Sequence, residues 1–205
     1  MKQAHWENVY TTKSSEQVSW YQPHVQRSYD WIVRTDMARD GQIIDVGGGA
    51  STLVDDLLEA GYQNITVLDL SGAALQVAQQ RLGALRAARV QWREADITAT
   101  EFSAHMFDIW HDRAVFHFLT EAADRRAYVA QLRHAVKRGG HIIMATFSLD
   151  GPTRCSGLPI VQYSAASLQA ELGAQFELVE QANEQHTTPS GAAQNFIYCH
   201  FIRRD

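Results

Sequence analysis

The sequence has little cysteine and no long apolar run. Only two cysteines, Cys155 and Cys199, occur in 205 residues, too few for the disulfide framework of a small secreted domain. No stretch approaches the roughly 18 apolar residues of a transmembrane helix, and the N-terminal stretch MKQAHWENVYTTKSSEQ lacks the apolar core of a secretory signal. These absences predict a cytoplasmic protein with no membrane partner, in which Cys199 is a small core residue and Cys155 an ordinary loop thiol.

Basic residues are not in excess either. Eighteen Lys and Arg stand against 23 Asp and Glu, for a formal net charge of -5, whereas a general nucleic-acid binder carries a basic face. None of the nine histidines follows the HxxxH or HExxH spacing of common zinc sites. We therefore expect no nucleic-acid partner and no bound metal, in a globular composition with 45% apolar residues.

Strand-like and helical patterns alternate along most of the chain. Short apolar runs rich in β-branched residues predict five buried strands, at 41–47, 64–71, 90–97, 107–113 and 141–148. Helical spacing predicts helices between them: one after Ser51 that stops at Gly61, one capped by Ser71 that ends near Gly83, and one from Thr120 to Lys137. Lys137 and Arg138 would then face the negative end of the last helix dipole. Such alternation predicts a doubly wound, mostly parallel α/β sheet with helices on both faces.

The last third of the sequence follows another pattern. After a turn-rich stretch and a short helix near 164–172, two long strand-like runs, at 175–186 and 193–204, are separated by the turn TTPSG. Strands joined so closely pair antiparallel. With no repeat or linker in the chain, we expect a single domain over residues 1–205, whose seven-stranded sheet ends in an antiparallel C-terminal edge hairpin.

Three glycines follow the first predicted strand, in the stretch IIDVGGGAS at residues 43–51. Since glycine has no Cβ, such a turn allows a ligand to approach the backbone closely, and its N–H groups would be unpaired. A dinucleotide or S-adenosylmethionine fits this position, and so does a plain tight turn. The GxGxxG pattern of dinucleotide sites is incomplete, because Gly47 and Gly49 are followed by Thr52 where the third glycine belongs.

An acidic residue ends each of the next three predicted strands. Asp69 stands twenty residues after Gly49, a position that suits a carboxylate accepting hydrogen bonds from ribose hydroxyls. Asp96 can accept from an adenine amino group, and Asp112 would lie near the reacting end of the ligand. Each alone is typical of an ordinary turn or helix cap. Three at successive carboxyl ends, beside a glycine turn, indicate a binding site.

The motifs IIDVGGGAS, VLDLS, READI, FDIWHDRA and VKRGGHIIMATF occur in this order and resemble the motif series of class I S-adenosylmethionine-dependent methyltransferases. The resemblance covers about residues 40–205, includes the antiparallel edge hairpin, and implies S-adenosylmethionine as cofactor. It also implies a set of cofactor contacts: Asp45, Gly47, Gly48 and Gly49 to the methionine part and ribose, Asp69 to the ribose hydroxyls, Leu70 to the adenine, and Asp96 and Ile97 to the adenine edge. Ser51 departs from the family pattern, which often has another glycine there.

The first forty residues resemble a narrower set of methyltransferases. HWENVY and VSWYQ are similar to the N-terminal aromatic signature of protein-lysine methyltransferases acting on elongation factor and citrate synthase, and of small-thiol and thiopurine methyltransferases. In both groups this segment caps the cofactor, so residues 1–40 are expected to cap a core at 41–205. The resemblance implies that Trp6 and Trp20 contact the cofactor and that Tyr10 and Tyr21 line the acceptor pocket. Packing of a helix on the sheet would explain the same aromatics.

The stretch WHDRAVFHF at the fourth predicted strand supplies candidates for the chemistry. Methyl transfer from a sulfonium depends mainly on positioning, and it needs a general base only if the acceptor arrives protonated. His111 and Asp112 are candidate bases, although neighbours in a strand point to opposite faces and at most one can enter a given pocket. Arg113 and His117 are candidates for the acceptor pocket.

These features predict a methyltransferase that transfers a methyl group to sulfur or nitrogen of a small molecule. Protein-lysine methylation is the first alternative, but the usual Asp-Lys-Gly of that subgroup is Asp112-Arg113-Ala114 here. An NAD-dependent oxidoreductase and a non-catalytic S-adenosylmethionine-binding module are alternatives of another class.

Overall fold

The computed structural model of the protein describes residues 3–205, so residues 1 and 2 of the predicted N-terminal segment lie outside the described residues. The main sheet contains seven strands: β1 (Gln42–Val46), β2 (Asn64–Asp69), β3 (Val90–Glu94), β4 (Phe107–Arg113), β5 (Val136–Phe147), β8 (Phe176–Thr187) and β9 (Ala193–Arg203). Two short strands, β6 (Arg154–Cys155) and β7 (Leu158–Pro159), form a separate pair. The spatial order of the main sheet is β3-β2-β1-β4-β5-β9-β8.

The strand directions are those of a doubly wound sheet with an edge hairpin. β1 to β5 run parallel, β9 pairs antiparallel with β5, and β8 pairs antiparallel with β9. The predicted fold class is therefore confirmed. Across residues 3–205, no helix is both long and apolar enough to cross a membrane.

Helices cover both faces of the sheet because the strand residues that point to either face are apolar. The helices are α1 (Gln3–Thr12), α2 (Gln26–Arg34), α3 (Leu53–Glu59), α4 (Gly72–Ala87), α5 (Ala122–Ala135) and α6 (Ala165–Leu172). On one face, Ile44 and Trp110 pack in the same cluster as Tyr128 of α5. On the other face, Ile43 packs with α2, α3 and α4 residues. Cys199 is fully buried, as expected of a core residue.

The boundary between α5 and β5 differs from the prediction. The helix ends at Ala135, and residues 136–140, expected to end it, begin the next strand. Val136 is fully buried and pairs with Phe107 across an irregular register, and the Lys137 ammonium lies 2.7 Å from the Asp108 carboxylate. The prediction that Lys137 and Arg138 face a helix end was wrong, because a buried β-branched residue joined the sheet instead.

The helix after β2 breaks where its end was predicted. Gly83 has φ of +72°, outside the helical region, and a last turn to Ala87 follows it. Strand order reverses between β2-β1 and β4-β5. Ligands of open α/β sheets bind at such a switch point, beyond the carboxyl ends of the strands. The fold therefore directs attention to the loops that follow β1, β2 and β4.

Candidate active site

Two connected cavities lie at this switch point. The first, called the main cleft, lies between the ends of β1 and β2, the chain around Ile97, and the aromatic residues of the N-terminal segment. The second, called the side chamber, extends from the glycine turn towards Asp45, His111 and Tyr21. Tyr10, Trp20, Gly47 and Arg113 line both cavities. Most of the predicted cofactor residues, and Tyr10, Tyr21 and Arg113 of the predicted acceptor residues, thus line these two cavities. Gly49, Asp96 and His117 are not among the lining residues.

The three glycines leave room for other groups. A Cβ built on Gly47, whose φ is +69°, would lie 2.0 Å from Val115 Cγ2. On Gly48 it would lie 2.5 Å from an Asp45 carboxylate oxygen, and on Gly49 the same distance from one of Asp69. Side chains cannot be accepted at any of these positions without displacing a neighbour that faces the cavities.

The N–H groups of this turn are less free than the sequence suggested. Those of Gly47 and Gly48 both donate to the Leu68 carbonyl, at 2.7 and 3.3 Å. The expectation of unpaired N–H groups is wrong for these two residues, because the end of the adjacent β2 accepts them. The glycines allow a ligand to approach the backbone closely. The polar groups beside the turn are mainly the flanking carboxylates.

Asp69 ends β2 and lines the main cleft with Leu70 and Ile97. Its Oδ1 accepts from the Ser71 N–H at 2.9 Å. Burial raises the pKa of this carboxyl to about 7, and the charge of Asp45 adds to the effect. Asp96 lies just before Ile97, and its Oδ1 accepts from the N–H and the hydroxyl of Thr98, at 2.8 and 2.6 Å.

Asp45 and His111 form a buried pair on adjacent strands. Asp45 Oδ1 lies 2.7 Å from His111 Nδ1, and His111 Nε2 lies 2.8 Å from the Ser28 hydroxyl of α2. Both ring nitrogens of His111 are therefore engaged. Asp45 Oδ2 is buried without a hydrogen-bond partner among residues 3–205. An unsatisfied carboxylate oxygen beside a glycine turn is suited to a cationic or donor group of a ligand.

Asp112 points to the opposite face of β4, as strand alternation requires. It accepts from the backbone N–H groups of Val115 and Phe116, at 2.9 and 3.2 Å, and from the Tyr128 hydroxyl at 2.6 Å. Burial raises its pKa to about 6. Asp112 faces α5 rather than either cavity, and it fixes the loop that brings Val115 against Gly47.

His117 also lies away from the cavities. Its ring is fully buried against Phe118 and Phe147, and its Nδ1 accepts from the Phe147 N–H at 3.3 Å. Burial lowers its pKa to about 3, with the Arg113 charge as a second cause. The prediction that His117 lines the acceptor pocket is not matched by its position, because the 3-10 turn at 116–118 presents Phe118 to the main cleft instead.

Aromatic residues wall the main cleft opposite Asp69. Trp6 packs edge-on against Phe118, with ring centroids 5.0 Å apart, and against Trp20 at 5.6 Å. The Trp20 indole N–H donates to the Tyr10 hydroxyl at 3.1 Å. Helix α1 is anchored there by Glu7, whose carboxylate accepts from the Ser71 hydroxyl at 2.7 Å. Trp6, Tyr10 and Trp20 of the N-terminal segment therefore line the main cleft.

Three residues of this region were not predicted as site residues. Phe118 and Cys155 line the main cleft, and Ser28 holds His111. Burial raises the pKa of the Cys155 thiol to about 11, so this thiol is neutral. Phe118 could have been predicted from its aromatic side chain close to the candidate residues of β4. No sequence pattern near Ser28 indicates that it bonds to His111, 83 positions away. Within residues 3–205, no group of three or more His, Cys, Asp or Glu side chains is placed to hold a metal ion.

Comparison with known proteins adds to this geometry. Residues 43–140 match the model of the methyltransferase domain family. Malonyl-acyl-carrier-protein O-methyltransferase of Paenibacillus sp. (strain JDR-2) is 27% identical over 113 residues, which are 54% of this chain and 40% of that protein. The match thus spans less than half of that relative's length. Human EEF1A lysine methyltransferase 2 is 20% identical over 206 residues, covering 94% of this chain and 81% of that protein.

Solved structures share the whole fold. A protein studied in the conversion of a disulfide bond into a thioacetal group during echinomycin biosynthesis superposes with a TM-score of 0.79. It is 18% identical, and the alignment covers 100% of this chain and 92% of that one. At this identity the likeness concerns the fold, including the N-terminal segment and the edge hairpin.

Proposed function

We propose that this chain, a member of the class I S-adenosylmethionine-dependent methyltransferases, transfers a methyl group from S-adenosylmethionine to sulfur or nitrogen of a small molecule. One observation carries the proposal: the carboxylates at the ends of β1 and β2 open into the same cavities as an aromatic wall supplied by the N-terminal segment. A cofactor held by the carboxylates would present its reactive end to that wall.

The residues present fit S-adenosylmethionine. Asp69 would accept from the ribose hydroxyls, with Leu70 and Ile97 beside the adenine and Asp96 at its edge. The turn at Gly47, Gly48 and Gly49 would lie under the methionine part and ribose. The unpartnered oxygen of Asp45 suits the cationic amino group of the methionine part. When bound, the cofactor supplies a methyl group activated by a sulfonium.

This chain would contribute mainly positioning and exclusion of water. Both ring nitrogens of His111 are engaged by Asp45 and Ser28, which leaves none for an acceptor. Asp112 and His117 face away from the cavities. We therefore revise the expectation of a general base: His111 is a positioning residue for Asp45, and Asp112 is a positioning residue for the loop after β4.

A small acceptor is favoured by the covered cleft. Trp6, Trp20 and Phe118 pack against one another over the aromatic end, and we propose that residues 1–40 cap the cofactor and Tyr10 and Tyr21 line the acceptor side. Protein-lysine methylation is the second candidate, since the relative that matches over nearly the whole chain carries that name. Both cysteines are free, which supports the proposal of a cytoplasmic enzyme.

The first test measures binding and transfer with the purified protein. S-adenosylhomocysteine should raise the melting temperature and NAD should not, because a ligand stabilises only the state that it binds. Methyl-labelled S-adenosylmethionine is then added with an extract of cells that lack the protein. Label in the low-mass fraction supports a small acceptor, and label in a protein band supports the lysine alternative. Binding of S-adenosylhomocysteine without any transfer of label would contradict an enzyme.

A further inference from the structure

Arg113 is a half-buried cation without a carboxylate partner among residues 3–205. Three other partly buried arginines pair with acids: Arg27 lies 2.7 Å from Glu184, Arg81 2.6 Å from Asp55, and Arg125 2.9 Å from Glu171. Arg113 has no such ion pair among residues 3–205, and its Nη2 is buried without any hydrogen-bond partner. Taking the Nη2 hydrogens out of water without a partner is costly, so this nitrogen suits an acceptor group of a ligand.

The guanidinium is held in one orientation at the junction of the two cavities. Its Nε donates to the Tyr198 hydroxyl at 3.1 Å, and its Nη1 donates to the Trp20 carbonyl at 3.0 Å. One face lies over Phe196, with Cζ 4.8 Å from the ring centroid. These contacts fix the group and supply no negative charge, and Arg113 lines both cavities.

The acids that line the cavities are already assigned to the cofactor. Asp69 and Asp45 lie at the ends of β2 and β1, where the proposed function places the ribose and the amino group. The main cleft has an aromatic wall, in which Trp6 packs edge-on against Trp20 and Phe118, and the neutral Cys155 also lines this cleft. With the cofactor in place, Arg113 is the charged protein group left for the acceptor.

We propose that Arg113 selects an aromatic acceptor that carries a carboxylate or another oxyanion, which would take the hydrogens of Nη2. This inference rests on the proposed function and assigns a substrate class to the same site. A charge-assisted hydrogen bond shielded from water is stronger than a neutral one, so an acid should bind more tightly than its uncharged amide. The methionine carboxylate of the cofactor has the same chemistry, and the experiment has to separate the two sources.

The experiment measures dissociation constants by calorimetry, on protein saturated with S-adenosylhomocysteine. The probes are benzoate, phenylacetate and indole-3-acetate, each compared with its primary amide. We expect at least one acid to bind about tenfold more tightly than its amide. Arg113→Gln should bring the ratio of the two dissociation constants close to one, and Arg113→Lys should keep part of the preference for the acid. Arg27→Gln is the matched control, because Arg27 is likewise a half-buried arginine in contact with Tyr198, with its Cζ 5.6 Å from the ring centroid, but it lies outside both cavities.

A second arm identifies the source of the oxyanion. S-adenosylhomocysteine carries the methionine carboxylate, whereas methylthioadenosine lacks it. Equal effects of Arg113→Gln on both ligands support the acceptor assignment. A loss of affinity for S-adenosylhomocysteine alone would assign Arg113 to the cofactor and overturn the proposal, as would a panel in which no acid is preferred to its amide.

Failure of this inference can be told from failure of the proposed function. If the wild-type protein does not bind S-adenosylhomocysteine, the methyltransferase proposal itself fails. If it binds that ligand but shows no preference for acids, only the role of Arg113 fails. The comparison of acid and amide uses wild-type protein, so it stands even if Arg113→Gln folds poorly, which melting temperatures of all variants would reveal.

Discussion

At the proposed cofactor end of the cleft, Asp45 and Asp69, which would contact the ligand, sit on parallel strands. The proposed acceptor end combines Arg113, the last residue of β4, with α1, the loop after β4 and the β6–β7 pair. Asp45 and Asp69 belong to β1 and β2, whose register is fixed along five residue pairs. At the acceptor end, Arg113 bonds to Trp20 across 93 positions, and His5 of α1 reaches Ser156 across 151, at 3.2 Å.

This difference indicates how the two ends can vary. Strand ends are positioned by the sheet, so the cofactor site follows from the fold itself. Apart from Arg113, the proposed acceptor end is assembled from segments outside the main sheet, and such segments tolerate replacement more readily than strands do. Substitutions at the cofactor end should therefore change cofactor affinity, and substitutions at the acceptor end should change selectivity.

The strongest test of the cofactor end is Gly47→Ala. The added Cβ would meet Val115 Cγ2 at 2.0 Å, in a backbone conformation with φ of +69°. We expect affinity for S-adenosylhomocysteine to fall by at least about 100-fold, and the free energy of unfolding to fall by about 2–4 kcal/mol from strain and overpacking. Calorimetry and thermal unfolding measure the two effects.

Gly61→Ala is the matched control for this change. Gly61 also has positive φ, +89°, but a Cβ there would meet nothing within 4 Å. It should cost about 1 kcal/mol of stability from strain alone and leave cofactor affinity intact. Equal losses of affinity in both variants would mean that the close approach at Gly47 has no special role.

The next test uses the pH dependence of Asp69. Burial raises its pKa from 3.8 to about 7, so the carboxyl is largely protonated below neutral pH. Ribose hydroxyls donate best to the ionised form, and affinity for S-adenosylhomocysteine should therefore rise about tenfold per pH unit up to about pH 7, then level off. Asp69→Asn should bind more weakly at pH 8 and show a flat profile. A flat profile in the wild-type protein would contradict the ribose assignment.

The same shift makes a prediction for the cofactor-free protein. Between about pH 4 and pH 7 the unfolded Asp69 carboxyl is ionised while the folded one keeps its proton, so the folded state binds more protons. Its contribution to stability therefore decreases as pH rises through that window. The melting temperature of Asp69→Asn should change less across the same window than that of the wild-type protein.

Prediction from sequence succeeded where the signal is local. Apolar runs and helical spacing predicted the sheet and its hairpin. Of the three strand-end acids, Asp69 lines a cavity, whereas Asp112, expected near the reacting end of the ligand, faces α5. Alternation along β4 predicted that His111 and Asp112 would separate. The interpretation failed where a partner lies far along the chain: Leu68 accepts the glycine N–H groups, Val136 extends β5, and Ser28 occupies the second nitrogen of His111. Such contacts leave no pattern near the residue that they change.

The finest test compares His111 with Asp112, since β4 serves both ends of the cleft. His111 holds Asp45 at the cofactor end, and Asp112 holds the loop that carries Val115 and Phe118 at the acceptor end. His111→Gln should weaken S-adenosylhomocysteine binding by about tenfold, because Asp45 loses a charge-assisted hydrogen bond. Asp112→Asn should leave that affinity within about threefold but lower the free energy of unfolding by about 1–3 kcal/mol, because an amide oxygen cannot replace both carboxylate acceptors.

If the effects of the two substitutions were exchanged, they would contradict the proposed difference between the two ends of the cleft. A loss of cofactor affinity in Asp112→Asn, with His111→Gln unaffected, would mean that the loop after β4 positions the cofactor more than the Asp45–His111 pair does. Turnover distinguishes a third case. If His111→Gln abolishes methyl transfer while S-adenosylhomocysteine still binds normally, then His111 takes part in the chemistry, and its bonds to Asp45 and Ser28 must open during the reaction.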